Sequence, residues 1–393
     1  MRLPARRRRA GQMRPPSAGE VRLMSVGAAR LPARVAFILP CCIGDAVLAT
    51  AALGALRRLL PDAHITWAVG GWARPVVGVH PAVDAWLDTG PHALPTQRPG
   101  GLLRFAAALR AQRCDAAVSL VRSWTMGAAV ALAGVPVRAG PDSAGRGFAY
   151  TVRVPVVPDQ PEHEADLYLR VIARLAASLG LPDPTPGAAP ALPVDAEAQQ
   201  RALAVLATAG ADPARFWLVH AGGGHNPGMT LDVKRYPPPL LADLAARMAK
   251  RLNMPPVLIG GPGDRAAAAE LAARLAEAGV QAVALAGALS LGETAAAAAR
   301  ARLYLGPDTG LTHAAAAVGA PTAMLMGPSD PRRYAPRGPR ALALWRPGPL
   351  QARGVAAGAP DAWSWAEHGI APAEAEAMLA AFLEKEGANG PPS

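Results

Sequence analysis

Lysine is almost missing from this sequence: Lys234, Lys250 and Lys385 are the only three among 40 basic residues. The arginine that stands in for it accompanies an Ala-, Gly- and Pro-rich composition typical of a GC-rich genome, so its abundance alone points to no ligand. Cysteine is equally scarce. Cys41, Cys42 and Cys114 supply neither zinc-ligand spacing nor an even-numbered disulfide framework. Adjacent Cys41 and Cys42 read as small loop or core residues in a reducing compartment, hence the cytoplasm. Charged residues are only 18% against 51% hydrophobic, which excludes a disordered chain. No run reaches the ~18 apolar residues of a membrane-spanning helix. The first apolar run, Val35 to Leu39, is too short for an export signal and reads as a buried strand.

Several chemical signatures are absent as well. There is no Asp-x-Asp, so a metal-bridged diphosphate clamp has no obvious ligands, and no metal site is expected. No Walker A sequence and no Gly-x-Gly-x-x-Gly occurs, which disfavours phosphoryl transfer and nicotinamide chemistry. A Gly-x-Ser-x-Gly elbow is also lacking. The eight histidines show no zinc-binding spacing.

The net charge of +11 is unevenly placed. Residues 1–34 hold nine Arg against Glu20 alone and so carry +8, leaving +3 for the rest. A nucleic-acid binder would carry its basic face on the folded body, so no nucleic-acid partner is expected. Residues 1–33 read as a basic, disordered extension that could touch anionic lipid.

From residue 34 onward, short β-rich runs alternate with Ala/Leu-rich helical stretches. The first half, 34–180, has strands at Val35–Leu39, His64–Val69, Ala116–Leu120 and Val152–Val157. Its helices are expected at about Asp45–Leu60, Leu102–Gln112 and Glu164–Leu179. A Pro-rich linker, 181–200, follows. The second half, 201–350, repeats the rhythm: strands at Phe216–Ala221, Val257–Ile259, Ala282–Leu285, Leu303–Leu305 and Thr322–Met326 alternate with helices. Such alternation implies parallel sheets with both faces covered, and two such halves leave a cleft where ligands meet the strands' carboxyl ends. Residues 351–393 form a tail whose helix, about Pro372 to Lys385, is expected to pack back on the N-terminal domain.

Three segments could carry chemistry. In Gly306 to His313, a strand ends, Asp308-Thr309-Gly310 opens a helix, and the free helix amides carry about half a positive charge suited to phosphate. Thr309 can add a hydroxyl donor, and Gly310 permits close backbone approach. Asp308 would repel a phosphate but suits sugar hydroxyls; the plain alternative makes Asp308 or Thr309 a helix cap. In Lys234-Arg235-Tyr236-Pro237, after Thr230 and a glycine run, two cations on a loop suit a diphosphate, the alternative being a solvated basic loop. In Ile43-Gly44-Asp45, the carboxylate at the cleft rim could take a proton from an incoming hydroxyl, or simply cap its helix.

In order along the chain, these pieces resemble glycosyltransferase family 9, the ADP-heptose:lipopolysaccharide heptosyltransferases. The resemblance runs from about Arg34 to about Trp345. It is carried by Gly44-Asp45, Glu162-His163-Glu164-Ala165-Asp166, Lys234-Arg235-Tyr236-Pro237, Ile259-Gly260-Gly261-Pro262-Gly263, Asp308-Thr309-Gly310-Leu311-Thr312-His313 and Gly327-Pro328-Ser329-Asp330-Pro331. It implies an α/β GT-B fold: two Rossmann-like domains whose parallel sheets face each other across a cleft, with the acceptor on the N-terminal domain and the nucleotide-sugar on the C-terminal one. It further implies inverting, metal-independent transfer, with ADP-heptose as a substrate and no cofactor. Asp45 is then the base, with Gly44 on the acceptor-side loop, and Lys234 steadies the donor's phosphates or sugar. Asp308 holds sugar hydroxyls, Thr309, Gly310 and Leu311 form the phosphate turn, and His313 and Thr230 complete the donor site. Gly260 and Gly261 lie near the adenosine. Tyr236 departs from the family's usual tryptophan.

The implied acceptor is a lipid-linked lipopolysaccharide-core or related glycan. The protein would then sit in the cytoplasm, in peripheral contact with the inner face of the inner membrane through the basic tail or exposed residues near Trp72 and Trp124. Two other readings remain: a nucleotide-sugar 2-epimerase on the same scaffold, and a non-catalytic relative that binds sugar nucleotides.

Overall fold

The computed structural model describes residues 31–388 except 79, 99, 158–159, 227–228, 351–359 and 361. The expected basic extension therefore lies outside the described residues, apart from its last three positions.

The first half runs β1 (Arg34–Ile38), α1 (Ile43–Leu59), β2 (His64–Val69), α2 (Arg74–Val77), β3 (Ala85–Asp88), α3 (Gly101–Ala111), β4 (Ala116–Ser119), α4 (Trp124–Leu132), β5 (Val137–Ser143), β6 (Val152–Val156) and α5 (Glu164–Ser178). The second runs α6 (Ala196–Thr208), β7 (Trp217–His220), a small antiparallel hairpin of β8 (His225–Asn226) and β9 (Met229–Thr230), α7 (Pro238–Leu252), β10 (Pro256–Ile259), α8 (Arg265–Glu277), β11 (Val283–Ala284), α9 (Leu291–Ala298), β12 (Tyr304–Pro307), α10 (Gly310–Ala317), β13 (Thr322–Leu325), α11 (Pro331–Tyr334) and β14 (Ala341–Leu344). Two C-terminal helices, α12 (Trp365–His368) and α13 (Pro372–Ala388), follow.

Each half is built on a six-stranded sheet, ordered β3-β2-β1-β4-β5-β6 and β11-β10-β7-β12-β13-β14. Every pairing within the two sheets is parallel. Both orders place the reversal of strand order beside the first strand, between β1 and β4 and between β7 and β12. Crevices at such switch points are where open α/β sheets take ligands.

The central strands read as continuous apolar runs because both sheet faces are covered. Val35, Phe37, Trp67 and Val118 point into one core with α1 and α5, while Ala36, Ile38, Ala68 and Ala117 point into another with α3 and α4. The two halves join along α1 and α10 and along α2 and α9.

Three expectations change. The stretch 181–200 is not all linker, since α6 starts at Ala196, where the Asp195 carboxylate accepts the Glu197 and Ala198 amides. The irregular part is tied down on both sides: the Ala191 amide donates to Thr50 Oγ1 and the Leu192 amide to the Ala317 carbonyl. The last helix, α13, packs on α7 of the second half rather than back on the N-terminal domain. Its Ala375, Leu379 and Leu383 recur at helical spacing and join the core of Trp217, Leu244 and Met248. Finally, a disulfide joins Cys41 to Cys42 across a cis peptide bond, where free small residues were expected. Counting cysteines for a framework does not detect a bond between chain neighbours.

Candidate active site

Two glycines set the geometry of the cleft floor. Gly44, at the start of α1, lies against the His313 ring and the Gly310 Cα, where an added Cβ would sit 2.9 Å from His313 Cδ2. A Cβ on Gly310 would run into the Ile43 side chain. Bare backbone at both positions lets the amino termini of α1 and α10 abut, one from each half. Gly44 is thus part of the junction between the halves.

Asp45 stands at the third position of α1, which begins at Ile43 rather than at Asp45. Its Oδ2 accepts the Cys42 amide at 3.3 Å and its Oδ1 accepts the Tyr168 hydroxyl at 3.2 Å. Burial and the neighbouring Glu164 carboxylate push Asp45 above the ordinary carboxylate value of 3.8, and the Cys42 amide, His313 and the Tyr168 hydroxyl offset this only in part. A carboxylate so placed is a stronger base than an exposed aspartate.

Behind Asp45 lies a charged group that the sequence reading left without a role. Glu164, 2% exposed, receives Arg122 at 2.8 Å from the loop after β4 and Arg333 at 2.8 Å from α11. Arg122 belongs to the first half and Arg333 to the second, so one carboxylate clamps both. His163 adds a second strap, with Nε2 donating to the Ala335 carbonyl at 2.9 Å while Nδ1 accepts the Ala165 amide. The Glu162–Asp166 segment carried part of the family resemblance, but nothing in the sequence pairs Glu164 with arginines 42 and 169 positions away.

On the donor side, Asp308 is 5% exposed and does not cap α10. Its Oδ2 meets Lys234 Nζ at 2.7 Å and accepts the Ser329 hydroxyl at 2.6 Å, while its Oδ1 lies 3.7 Å from His313 Nε2. Burial acts to raise this carboxyl, but Lys234 and His313 outweigh it and hold the pKa well below 3.8. The Lys234 loop is therefore not a solvated basic loop: in this state its cation rests on Asp308. Ser329, within the Gly327–Pro331 stretch, is the third member of the group.

Thr309 occupies the cap position of α10 without a side-chain cap bond. Its hydroxyl faces His220 Nδ1 at 3.4 Å and Thr312 Oγ1 at 3.3 Å. The Thr309 side chain thus leaves the amides that open α10 uncapped. Leu311 is buried in the core beneath, so it shapes the turn through its backbone.

Gly260 and Gly261 meet the glycine run after β7 through one residue that the sequence did not single out. Asp264 accepts the Gly223 and Gly261 amides at 2.8 Å each and the His220 ring at 3.2 Å. Burial opposes its ionisation, yet the ring and the amides keep it well below 3.8. A Cβ on Gly222 or Gly260 would collide with the Asp264 carboxylate. The His220 ring meets Asp264 through Nε2 and Thr309 through Nδ1, so the loop anchor and the turn that opens α10 form one chain of contacts. The side chain of Thr230 lies outside the described residues.

Tyr236 is buried, and its hydroxyl donates to the Ile370 carbonyl at 2.6 Å. Its ring packs edge-on against Trp365 at 5.2 Å, and the Trp365 indole donates to the Val233 carbonyl at 3.0 Å. The C-terminal segment thus grips the Lys234 loop from outside. Trp72, considered for surface contact, is only half exposed and its indole nitrogen is buried.

Two Rossmann-like sheets, with the buried Asp45 carboxylate beside one switch point and Lys234, Asp308 and the α10 terminus beside the other, have the layout of a GT-B glycosyltransferase. The family model for glycosyltransferase family 9 (heptosyltransferase) matches residues 102–353. The chain belongs to that family and is a glycosyltransferase. In solved structures the fold matches E. coli ADP-heptose LPS heptosyltransferase II at 22% identity and TM-score 0.67, covering 90% of this chain and 99% of that one. A family 9 glycosyltransferase from Veillonella parvula matches at 21% and 0.73, covering 91% and 99%. E. coli heptosyltransferase WaaC with ADP matches at 19% and 0.61, covering 90% and 99%. No curated protein matches by sequence. No helix among the described residues is long and apolar enough to cross a membrane.

Proposed function

We propose that the protein moves heptose from ADP-heptose to a lipid-linked glycan of the lipopolysaccharide core or a related envelope polymer, at the inner face of the inner membrane. The observation that carries this reading is the abutment of α1 and α10 at Gly44 and Gly310, which brings Asp45 to the same cleft floor as Asp308 and the phosphate turn.

In the proposed reaction the Asp45 carboxylate takes the proton of an acceptor hydroxyl as its oxygen attacks the anomeric carbon. The new C–O bond forms on the face opposite the leaving group, so configuration inverts. The bond to the β-phosphate breaks, and its electron pair leaves with ADP. The α10 amides and Lys234 stabilise that developing charge without a metal. Donor sugar hydroxyls meet Asp308, which requires Lys234 to turn from Asp308 towards the phosphates.

A calorimetric screen of ADP-heptose, other ADP-sugars, UDP-sugars and GDP-sugars tests the donor, with ADP-heptose expected to bind tightest. Absence of binding by any nucleotide-sugar refutes the reading, and UDP-sugar isomerisation without acceptor would favour an epimerase. Transfer that survives EDTA, with an inverted anomeric centre by NMR, is the expected chemistry.

A further inference from the structure

We propose that the outer face of α3 and α4, with the loop that follows β5, docks on an anionic phospholipid bilayer. Four large apolar side chains stand out on this face: Leu103 at 65% exposure, Trp124 at 53%, Leu132 at 50% and Phe148 at 55%. They belong to one surface. Arg110, near the end of α3, donates to the Leu132 and Ala133 carbonyls at the end of α4. The loop carrying Phe148 packs on α4 where Ala149 and Tyr150 meet Gly127.

The face is apolar by design of both helices. α4, with sequence WTMGAAVAL, contains no charged residue at all. Its buried stripe of Met126, Ala129 and Val130 faces the sheet, so Trp124 and Leu132 are turned outward, exposed among the described residues. On α3, Phe105 and Leu109 face the core and Leu103 with Ala107 faces out. Exposed apolar surface of this extent marks an interaction site.

Charge identifies the partner. Residues 89–157 contain eight Arg against Asp115 and Asp142, a net +6 that falls to +5 once Arg122 is counted with its partner Glu164, whereas the whole chain beyond residue 34 carries only +3. The remainder of that body is therefore net acidic by three charges. Asp115 is occupied by the Ala33 and Arg34 amides, and Asp142 by the Gly147 amide. Exposed Arg104 and Arg146 flank the apolar group. An apolar centre with a basic rim is the pattern of a surface that lies in a bilayer interface.

Its position also fits. α3 and α4 cover the sheet face opposite α1, the helix that meets the second half, so the surface points away from that junction. Trp124 begins α4 two residues after Arg122, which holds Glu164 beside Asp45. Docking here would set the acceptor side of the cleft at the membrane. In that respect the inference rests on the reading of a lipid-linked acceptor.

Co-sedimentation of the full-length protein with phosphatidylcholine vesicles, with and without 25 mol% (roughly one lipid in four) phosphatidylglycerol, tests it. Wild type should partition onto the anionic vesicles and be released by salt. The triple variant Leu103→Ser/Trp124→Ser/Leu132→Ser should lose at least about tenfold in partitioning. Arg104→Glu/Arg146→Glu should lose about fivefold or more per arginine and flatten the salt dependence. Both variants should keep the wild-type melting temperature and nucleotide-sugar affinity, which separates failure of this surface from failure of the transferase reading. Three outcomes overturn the proposal: no partitioning by wild type, partitioning unchanged in both variants, or a wild-type dimer that the triple variant converts to monomer.

Discussion

Replacing Lys234 by methionine keeps an unbranched stem one atom shorter and removes the charge, leaving Asp308 buried beside Ser329 and His313. At 2.7 Å, with an effective dielectric of ~20, the lost attraction is about 6 kcal/mol gross. Much of that is already spent on desolvating the pair, and breaking such a pair on one side generally costs ~3–5 kcal/mol. The lower end applies here, because Lys234 keeps 18% of its side chain in solvent and the Ser329 hydroxyl still holds Asp308. We expect Lys234→Met to lose about 3 kcal/mol in urea denaturation at pH 7. Asp308→Asn should lose less, since Lys234 can then reach water. The double variant should recover ~2 kcal/mol of the summed single losses.

The pH dependence follows from the depressed carboxyl. Stability contributed by Asp308 is fully present above the unfolded value of 3.8 and is lost as pH falls towards its lower folded value. Lys234→Met raises that folded value, so the variant should lose less on acidification than wild type. Denaturation of the four proteins at pH 7 and pH 3 measures both effects. Additive losses in the double-mutant cycle, or identical acid sensitivity in wild type and Lys234→Met, would refute the coupling.

Asp45→Asn should retain donor affinity by calorimetry and lose ~10²–10⁴-fold in turnover, and near-normal turnover would remove Asp45 from the mechanism. The wild-type acid limb should lie above pH 3.8, because burial and Glu164 raise Asp45. Glu164→Gln removes a like charge that raises Asp45, so a pH–rate profile should show that limb moved to lower pH; an unmoved limb would contradict the coupling. Gly310→Ala drives a methyl into Ile43 and should destabilise by ~1–3 kcal/mol, measured by denaturant titration. Trp365→Phe forfeits the bond to the Val233 carbonyl and should raise the donor KM with kcat little changed, while Trp365→Ala should raise it further.

Local sequence signals marked most of the sheet strands, though not β3, β5 or β14, and most helices, because a parallel sheet covered on both faces writes itself as short apolar runs. Val35–Leu39 against the observed Arg34–Ile38 and Thr322–Met326 against Thr322–Leu325 differ by one residue. The stretch from Val121 to Ser143 was unread, since an apolar sequence such as that of α4 has no polar face to show a helical period. The same uniformity hid the outward surface of α4. At the site, Asp45, Lys234 and Asp308 were visible as chemical types on loops. Their mutual arrangement was not, because Lys234 and Asp308 pair across 74 positions. Asp264 was passed over because an aspartate entering a helix reads as a cap, although it binds two glycine loops to the His220 ring.

The meeting of Gly44 and Gly310 also governs how this molecule can move. Two bare backbones in contact form a fulcrum: a rotation of one half against the other changes distances least near the pivot and most at the rim. Asp45 and the start of α10 sit at that pivot, so cleft closure would leave the reacting groups nearly in place. The Lys234 loop and the outer parts of both sheets would sweep the larger arcs. Chemistry and gating would then be mechanically separable, with opening and closing admitting substrates to a catalytic centre assembled in advance.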